Sequence, residues 1–427
     1  MRGLRQRLSG VAIDVTPLRA SRDFRFLYAG TAVGQLGSAF TTVAVPFQLY
    51  DLTGSTMAIG LFGAVTLVPL LLFNVVGGAI ADKVERRRWI VGCQILGLTG
   101  TLGLVFNSTL DQPNLVAIYV CGAVDICAFA LGAPAERASV IRVVGRDHVP
   151  SAMALKAVSS SLAHVAGPAL AGVVLASVGT TWAYAVDAST FVIAAVIISR
   201  MRPLRPEIIG ANPTFGLVVD GMRHLRRQPV LLGSFVSDLN AMVLALPVAL
   251  FPAVAVLRFP DRPQVLGLLY AAPFAGSLVA SLASGWARRV TRHGMVVTVS
   301  IVVWGLAMAS FGLVDGVVLS LLALAVGGAA DMISGISRQA ILQLASPPEL
   351  VGRMEGVGMA IWTGGPRLGD VRAGALASFT SVPFAIVSGG LGCVVVMLAL
   401  AKALPGFTRY EAPPAGAPAP AGTSVVV

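Results

Sequence analysis

The sequence predicts an all-α membrane protein in which twelve transmembrane helices form two six-helix pseudo-repeats. Hydrophobic residues make up 56% of the 427 residues and charged residues only 12%, with a mean hydropathy of +0.82. A water-soluble surface needs roughly a quarter of charged residues. The apolar residues also form runs of about 20, the length that spans a bilayer. Because lipid offers the backbone no hydrogen-bond partners, these runs are predicted to be helices.

Twelve apolar runs follow one another along the chain, and several contain Gly or Pro, which membrane helices tolerate. The eleventh is the least apolar because it carries Arg367, Asp370 and Arg372. Charged side chains that face lipid are costly, so this helix is expected to face protein or water. The predicted spans are 24–49, 56–81, 89–107, 114–133, 152–178, 182–201, 229–256, 264–287, 294–314, 316–340, 352–378 and 381–404.

Arginine and lysine are concentrated in the segments on one side of the predicted membrane, whereas the other side holds only Arg258 and Arg262. The positive-inside rule therefore predicts a multi-pass protein of the cytoplasmic (inner) membrane with both termini in the cytoplasm. The net charge of +11 does not indicate nucleic-acid binding, because the basic residues lie between apolar runs and form no continuous face.

One long connection, 202–228, separates six spans from six. We expect a cytoplasmic N-terminal tail at 1–23, a first bundle at 24–201, a linker at 202–228, a second bundle at 229–404 and a disordered tail at 405–427. In the linker, apolar residues near helical spacing stand beside arginines, which is typical of an amphipathic helix on the inner leaflet. The tail is rich in Pro, Ala and Gly, which favours disorder.

The two predicted bundles repeat each other weakly, since three short patterns recur in the same order at equivalent spans. Such a recurrence indicates the parallel duplication of a six-helix unit, an architecture of secondary transporters. The pairs are Gly78-x-x-x-Asp82 with Gly285-x-x-x-Arg289, Gly122-Ala-Val-Asp125 with Gly328-Ala-Ala-Asp331, and Gly167-Pro168-Ala-Leu with Gly365-Pro366-Arg-Leu.

The chain carries no motif of the common enzyme classes. Its only lysines, Lys83, Lys156 and Lys402, do not follow a phosphate-binding glycine loop, and no His-Glu-x-x-His, Gly-x-Ser-x-Gly or Gly-x-Gly-x-x-Gly occurs. The four cysteines lie inside apolar runs without metal-ligand spacing, as small core residues do. We therefore expect neither an enzyme nor a cofactor or metal site.

The segment after the second span, Gly78-Ala-Ile-Ala-Asp82-Lys83-Val-Glu85-Arg86-Arg87-Arg88, resembles the signature Gly-x-x-x-Asp-Arg/Lys-x-Gly-Arg-Arg/Lys of the major facilitator superfamily. Glu85 departs from it, standing where the signature has Gly. The Asp-x-x-Glu-Arg form is similar to the enterobactin exporter branch, a group of transmembrane secretion effectors and drug efflux proteins. Further similar stretches are Arg22–Leu27, Val45–Gln48, Thr53–Ser55, Gly167–Gly172 and Val351–Arg353.

The resemblance implies a cytoplasmic gating motif after the second span. Its residues would form a latch between the halves that stabilises the outward-facing state, with Arg137 as a possible partner of Asp82. A carboxylate at this place can pair with a cation and with a helix N-terminus. A plain positive-inside cluster explains part of the basic run but leaves Asp82 without a role. The motif residues are Gly78, Asp82, Lys83, Arg86, Arg87 and Arg137.

The acidic residues deepest in the spans are Asp125, Asp238 and Asp331. They fall on spans 4, 7 and 10, which line the central cavity in the superfamily that the chain resembles. Carboxylates in such surroundings take up and release protons, so the three are candidates for the substrate and proton pathway, with His164 and Gln35. The alternatives are interhelical hydrogen bonds for the carboxylates and for His164. Asp187, near the outer end of span 6, is expected to be structural.

The fifth span carries Gly167, Pro168 and Gly172, similar to the span-5 signature of drug/proton antiporters. Glycines allow close approach of two backbones and proline removes a helical hydrogen bond. Tight packing is the alternative interpretation. In span 11, Arg367 and Asp370 share a helix face and are expected to pair; they would contact an anionic substrate or line a water-filled mouth.

Together these features predict a secondary transporter that exports a small molecule, a siderophore or a drug-like compound, by alternating access. Protons are the expected coupling ion and membrane lipid the surrounding partner, because the sequence has no nucleotide site and does have acidic residues within its spans. Two alternatives stay open: an importer of a small solute, and a membrane receptor or enzyme that transports nothing.

Overall fold

The computed structural model describes residues 14–204, 225, 228–285, 290–347 and 350–411, apart from the side chains of Arg146 and Arg353. Within these residues twelve long helices follow one another, which confirms the predicted all-α architecture. The helices are α1 Arg22–Thr53, α2 Thr56–Ala81, α3 Arg86–Ser108, α4 Leu115–Val144, α5 Val149–Val178, α6 Thr180–Ser199, α7 Pro229–Arg258, α8 Val265–Leu282, α9 His293–Leu313, α10 Val317–Ala345, α11 Val351–Phe379 and α12 Val382–Ala403.

Several helix ends follow from local sequence. The side-chain oxygens of Ser21, Glu85 and Asn114 accept hydrogen bonds from backbone N–H groups in the first turns of α1, α3 and α4, as N-caps do. Gly54 ends α1 with a φ of 62°, in the left-handed region that glycine enters without steric cost.

Ten of the twelve helices are long and apolar enough to cross a membrane, counting only the described residues. The other two are α1, which contains three Gly and four Thr, and α11, which carries charged residues. Both pack against several other helices, α1 against α5 and α6 and α11 against α2 and α7. Their polar side chains can therefore face protein instead of lipid.

Helix α7 is broken near its middle, which the sequence analysis did not predict. An α-helix at Pro229–Asn240 passes into a π-helical turn at Ala241–Ala245, and a short 3₁₀ turn precedes the second α-helical piece, Phe251–Arg258. Pro247 has no N–H to donate, and Leu246 before it is extended, with a ψ of 109°. Discontinuous membrane helices are typical of transporter binding sites.

The helices pack in two equivalent sets. In the first set, α1 contacts α5 and α6, α3 contacts α4 and α6, and α2 contacts α4; in the second, α7 contacts α11 and α12, α9 contacts α10 and α12, and α8 contacts α10. The main contacts between the sets are α2 with α11 and α5 with α8. We refer to α1–α6 as the first half and to α7–α12 as the second half.

Three sequence predictions need correction or lie outside the described residues. Helices α4 and α10 run further than the predicted ends at 133 and 340, so Arg137 lies on a helix and not in a loop; helical structure continues after the hydropathy falls. In the predicted disordered tail 405–427, Pro405–Thr408 is helical and Phe407 is fully buried. The predicted amphipathic helix of the linker and the terminal tails lie largely outside the described residues.

Candidate transport cavity

The two ends of the helical bundle differ in charge. We name them the basic end and the arginine-poor end. The basic end holds the connections at 82–85, 145–148, 200–204, 290–292 and 346–347. The arginine-poor end holds the connections at 54–55, 109–114, 179, 259–264, 314–316 and 380–381, whose only cation is Arg262, close to Arg258 at the end of α7.

At the arginine-poor end, α2 and α11 cross in contact through glycines. A Cβ on Gly374 would lie 2.8 Å from the Cα of Gly60 and 2.6 Å from the carbonyl oxygen of Thr56. The hydroxyl of Thr56 donates a hydrogen bond of 3.0 Å to the carbonyl oxygen of Gly374. Only residues without a Cβ allow this approach, so the two halves are closed against each other here.

The fifth-span motif forms the second crossing at the same end. A Cβ on Gly172 would lie 2.7 Å from the Cα of Gly267 in α8, and a Cβ on Gly267 would lie 2.2 Å from the carbonyl oxygen of Pro168. Gly167 faces the first half instead, where its Cβ would lie 2.5 Å from that of Ala39 in α1. The motif thus joins α5 to α1 and to α8 at once.

Toward the basic end the halves separate around a cavity of about 740 Å³. It is lined by the second part of α2, by Arg137 of α4, by the first pieces of α7 and α11, and by the second part of α10. Five charged side chains and the amides of Asn74 and Gln339 belong to the lining, and the remaining residues are mainly apolar. This volume lies within the range of small-molecule sites.

An arginine and two aspartates form an ion-pair triad on the cavity wall of the second half. Arg338 Nη1 lies 2.7 Å from Asp238 Oδ1, and Arg338 Nη2 lies 3.6 Å from Asp331 Oδ1. The Oδ1 atoms of both aspartates and the Nη1 of Arg338 are buried in these contacts. The structure therefore brings two of the three candidate carboxylates together.

The third candidate, Asp125, lies in the first half beside Asp187, and the two carboxyls act on each other electrostatically. Asp187 is fully buried and accepts hydrogen bonds from the hydroxyls of Thr41 in α1 and Thr190 in α6. Among the described residues, Asp125 accepts no side-chain hydrogen bond and neither carboxylate has an ion pair. The first half thus contains a carboxylate pair without a partner cation.

The two remaining pathway candidates occupy different surroundings. The side-chain oxygen of Gln35 in α1 is buried without a hydrogen-bond partner among the described residues. His164 is exposed on α5, where its Nδ1 lies 2.7 Å from the carbonyl oxygen of Ser160 and its ring lies 4.7 Å from that of Phe274 in α8. The structure places His164 between the halves and away from the cavity lining.

The gating motif is held within the first half. Asp82 is half exposed and pairs with Arg86 at 3.7 Å, whereas Arg137 donates to the Met359 sulfur at 3.8 Å across the cavity mouth. Arg137 is therefore not paired with Asp82 in this conformation. Lys83 follows Asp82 at the exposed end of α2, and Gly78 lies one turn earlier, near Pro134.

Glu85, the departure from the family signature, has a defined structural role. Its carboxylate accepts hydrogen bonds from the backbone N–H groups of Arg87 and Arg88 at 3.0 and 3.3 Å and from that of Leu204 at 2.8 Å. Arg87 donates to the Met201 carbonyl oxygen at 3.0 Å. The start of the linker is thus bound to the segment after α2.

In the second half, the predicted pairing of Arg367 with Asp370 is confirmed, with an N–O distance of 3.5 Å. Asp370 also accepts a hydrogen bond from the backbone N–H of Ala249, which the break in α7 leaves free. The hydroxyl of Tyr270 in α8 is buried nearby without a hydrogen-bond partner among the described residues. This group lies at the junction of α2, α7, α8 and α11.

Two residues of the cavity were missed by the sequence analysis. Arg338 lies within the predicted tenth span, 316–340, but was not named as a candidate, although Asp331 precedes it at helical i, i+7 spacing. Trp362 of α11 lines the cavity and is 59% exposed. A single tryptophan in a membrane span carries no signal that separates a lipid-facing from a cavity-facing position.

Comparison with known proteins agrees with this architecture. Residues 12–421 match the transmembrane secretion effector family. The enterobactin exporter EntS of Citrobacter koseri is 32% identical over 405 residues, covering 94% of this chain and 96% of that protein. The enterobactin exporter EntS of Salmonella typhimurium is 31% identical, covering 94% and 97%.

Solved structures show the same fold at low sequence identity. The nucleoside transporter NupG (D323A mutant) superposes with a TM-score of 0.75 at 14% identity, covering 89% of this chain and 99% of that chain. A D-xylose-proton symporter gives 0.67 at 11%, covering 88% and 97%. The chain therefore belongs to the transmembrane secretion effector family of the major facilitator superfamily, as a multi-pass membrane transporter and not an enzyme.

Proposed function

We propose that this protein exports a small molecule across the cytoplasmic membrane by alternating access, in exchange for protons. The observation that carries the proposal is the shape of the space between the halves. A cavity of about 740 Å³ lies toward the basic end, and two glycine crossings close the arginine-poor end. One-sided access is what a carrier that exposes its site alternately requires.

The relatives support the direction of transport, and the orientation of the cavity agrees with it. The positive-inside rule assigns the basic end to the cytoplasm, with both termini on that side. The cavity would then face the cytoplasm, where an exporter loads its substrate. The relatives named above are enterobactin exporters, which supports export of a siderophore or a drug-like compound over import.

The gating motif would act in the opposite conformation. Closing the basic end brings α2 and α4 toward α11, and Asp82 would then gain contacts across the halves that it lacks here. In the present conformation its carboxylate is half exposed and contacts only Arg86 among the described ion pairs. This agrees with a latch that is released while the cavity faces the basic end.

Protons are the coupling ion in this proposal because the spans hold carboxylates: Asp238 and Asp331 line the cavity, and Asp125 lies beside Asp187 within the first half. A carrier that alternates access changes the solvation of these groups in each cycle, which allows proton loading on one side and release on the other. Gln35 and His164 stay candidates for the pathway.

The decisive experiment has two steps. Untargeted mass spectrometry of culture medium from a deletion strain and its parent identifies the compound that the protein releases. That compound is then offered to proteoliposomes that contain the purified protein and an imposed pH gradient. Accumulation against its own gradient, abolished when the pH gradient is collapsed, is expected. Unchanged medium together with no gradient-driven flux would contradict the proposal.

A further inference from the structure

The cavity has an uneven charge distribution that the export proposal does not use. Its second-half wall carries Asp238, Asp331, Glu355 and Arg338. Among the described side chains, the one cation of this wall, Arg338, lies between two of the carboxylates, at 2.7 Å and 3.6 Å. The charge of Arg338 is thus already balanced, and the wall keeps an excess of negative charge facing the cavity.

The two aspartates also reach the cavity. Both line it, and each uses its Oδ1 to contact Arg338. The side chain of Asp331 keeps 30% of its surface exposed and that of Asp238 keeps 11%. A ligand group with N–H donors that enters the cavity would contact the exposed part of these carboxylates, and charge-assisted hydrogen bonds are the stronger kind.

The second-half wall is a poor binding surface for an anion. An anion would have to displace carboxylates from Arg338 before it gained a contact. Arg137, across the mouth, directs its guanidinium at the Met359 sulfur and shares Glu136 with Lys156 of α5. This first-half group holds two cations and one carboxylate, so the positive charge lies on the side of the mouth away from the wall that carries Asp238 and Asp331.

A large aromatic surface lies on the same wall. Trp362 is 59% exposed and lines the cavity, together with Phe235 of α7 and Met332 of α10. The face of an indole ring attracts cations and stacks on planar ligands. Trp182, on α6, is exposed to the same extent, 60%, but does not belong to the cavity lining. Trp362, unlike Trp182, therefore exposes its ring where a ligand in the cavity can reach it.

We propose that Asp238, Asp331 and Trp362 form the substrate-recognition site, and that its ligands are planar or amphiphilic molecules carrying a protonated amine. Arg338 positions the two carboxylates, and the amine donates to the part of each carboxylate that faces the cavity. The aromatic body of the ligand stacks on Trp362. The proposal rests on the proposed transport function for its biological meaning, although binding itself needs no transport.

Equilibrium binding to the full-length protein in nanodiscs tests this site. Two fluorescent tricyclic dyes of similar size serve as probes, proflavine, a cation with two amino groups, and resorufin, an anion. Protein-free nanodiscs correct for partition into lipid. Proflavine is expected to bind at least about tenfold more tightly than resorufin. Equal affinity of the two dyes, or tighter binding of resorufin, would overturn the proposal.

Matched variants identify the residues. Asp331→Asn and Trp362→Ala are each expected to weaken proflavine binding about tenfold, Trp362→Phe to restore part of the loss, and Trp182→Ala to change nothing. Size-exclusion profiles identify misfolded variants. Asp331→Asn is used in place of Asp238→Asn because Asp238 is the more buried of the two positions. Unchanged proflavine affinity in both Asp331→Asn and Trp362→Ala would refute the site.

The outcome is separable from that of the transport proposal. A protein that binds proflavine selectively but drives no substrate uphill contradicts the export proposal alone. A protein that concentrates its substrate but binds resorufin as well as proflavine contradicts the recognition site alone.

Discussion

The two halves of the molecule use the same helix packing but hold their buried carboxylates in opposite ways. In the first half, Asp125 and Asp187 lie together without a partner cation among the described residues. In the second half, Arg338 stands between Asp238 and Asp331. Duplication of the backbone decides which helices meet, whereas single side chains decide whether the charges brought together are balanced.

This difference assigns the two tasks of a coupled carrier, proton coupling and ligand recognition, to different halves. Two carboxylates that face each other in a low-dielectric interior repel when both are ionised. Uptake of one proton by the first-half pair removes that repulsion, and its release restores it. In the second half the guanidinium already supplies the positive charge. We therefore expect proton coupling mainly in the first half and ligand recognition mainly in the second.

The largest expected effect is on coupling. Asp125→Asn removes one member of the unbalanced pair, so pH-driven uphill export should fall by at least about tenfold, while downhill exchange, which needs no net proton transfer, persists. Substrate flux in proteoliposomes with and without a pH gradient measures both. Asp331→Asn is the comparison: it should retain the response to pH and lower substrate affinity. The reverse result would invert the division between the halves.

A second effect concerns stability and should be confined to the second half. Arg338→Gln leaves two neighbouring carboxylates without a cation, and loss of one partner from a buried ion pair costs about 3–5 kcal/mol. The unfolding temperature, followed by tryptophan fluorescence in detergent, should drop markedly. The double variant Arg338→Gln, Asp331→Asn should recover part of the loss. Equal stability of the single variant and the native protein would show that the triad is not charge-balanced as described.

Third, the two halves should respond alike to substitutions that change only steric packing and leave the charges unaltered. Gly172→Ala and Gly374→Ala each add a Cβ at 2.8 Å or less from a backbone atom across a crossing. Overpacking costs about 1–3 kcal/mol. The population of molecules in which the arginine-poor end is open should therefore rise about tenfold. Thiol accessibility of Thr66→Cys, at a fully buried position further along α2, is the measurement.

The glycine prediction has a matched control. Gly92 of α3 has no atom within 4 Å of its added Cβ, so Gly92→Ala should leave accessibility unchanged. A shift produced by only one of the two crossing variants would mean that the halves separate unevenly.

The smallest expected change is at the gating motif. Asp82→Asn removes an exposed contact with Arg86, worth about 0–1 kcal/mol, so the unfolding temperature should hardly move. Transport should still fall several-fold, because the latch forms only when the basic end closes. Counterflow in proteoliposomes tests this, with the exposed Asp147→Asn as a control at the same end. Full counterflow activity would reduce Asp82 to a surface residue.

Sequence patterns predicted the fold better than they predicted the site. The twelve helices follow from apolar runs of membrane-spanning length, a local property. The positions of Asp125, Asp238 and Asp331 on α4, α7 and α10 were also predicted correctly. Their partners were not, because the pairing of Asp238 with Arg338 joins two helices from distant parts of the chain. The break in α7 had a visible signal in Pro247, yet Pro46 lies within the continuous α1, so proline alone does not decide.

The packing of Phe407 has a practical consequence for where a tag or fusion can be attached to this protein. Its ring fits against Gly233 of α7 and its carbonyl oxygen against Gly294 of α9, where a Cβ would lie within 2.5 Å of each. Glu411 extends the attachment through a 2.7 Å ion pair with Arg292. Gly233 directly precedes Ser234 and Phe235 on the cavity wall. An affinity tag or fluorescent fusion should therefore begin after Glu411, since truncation at Leu404 would loosen the helix that shapes the cavity.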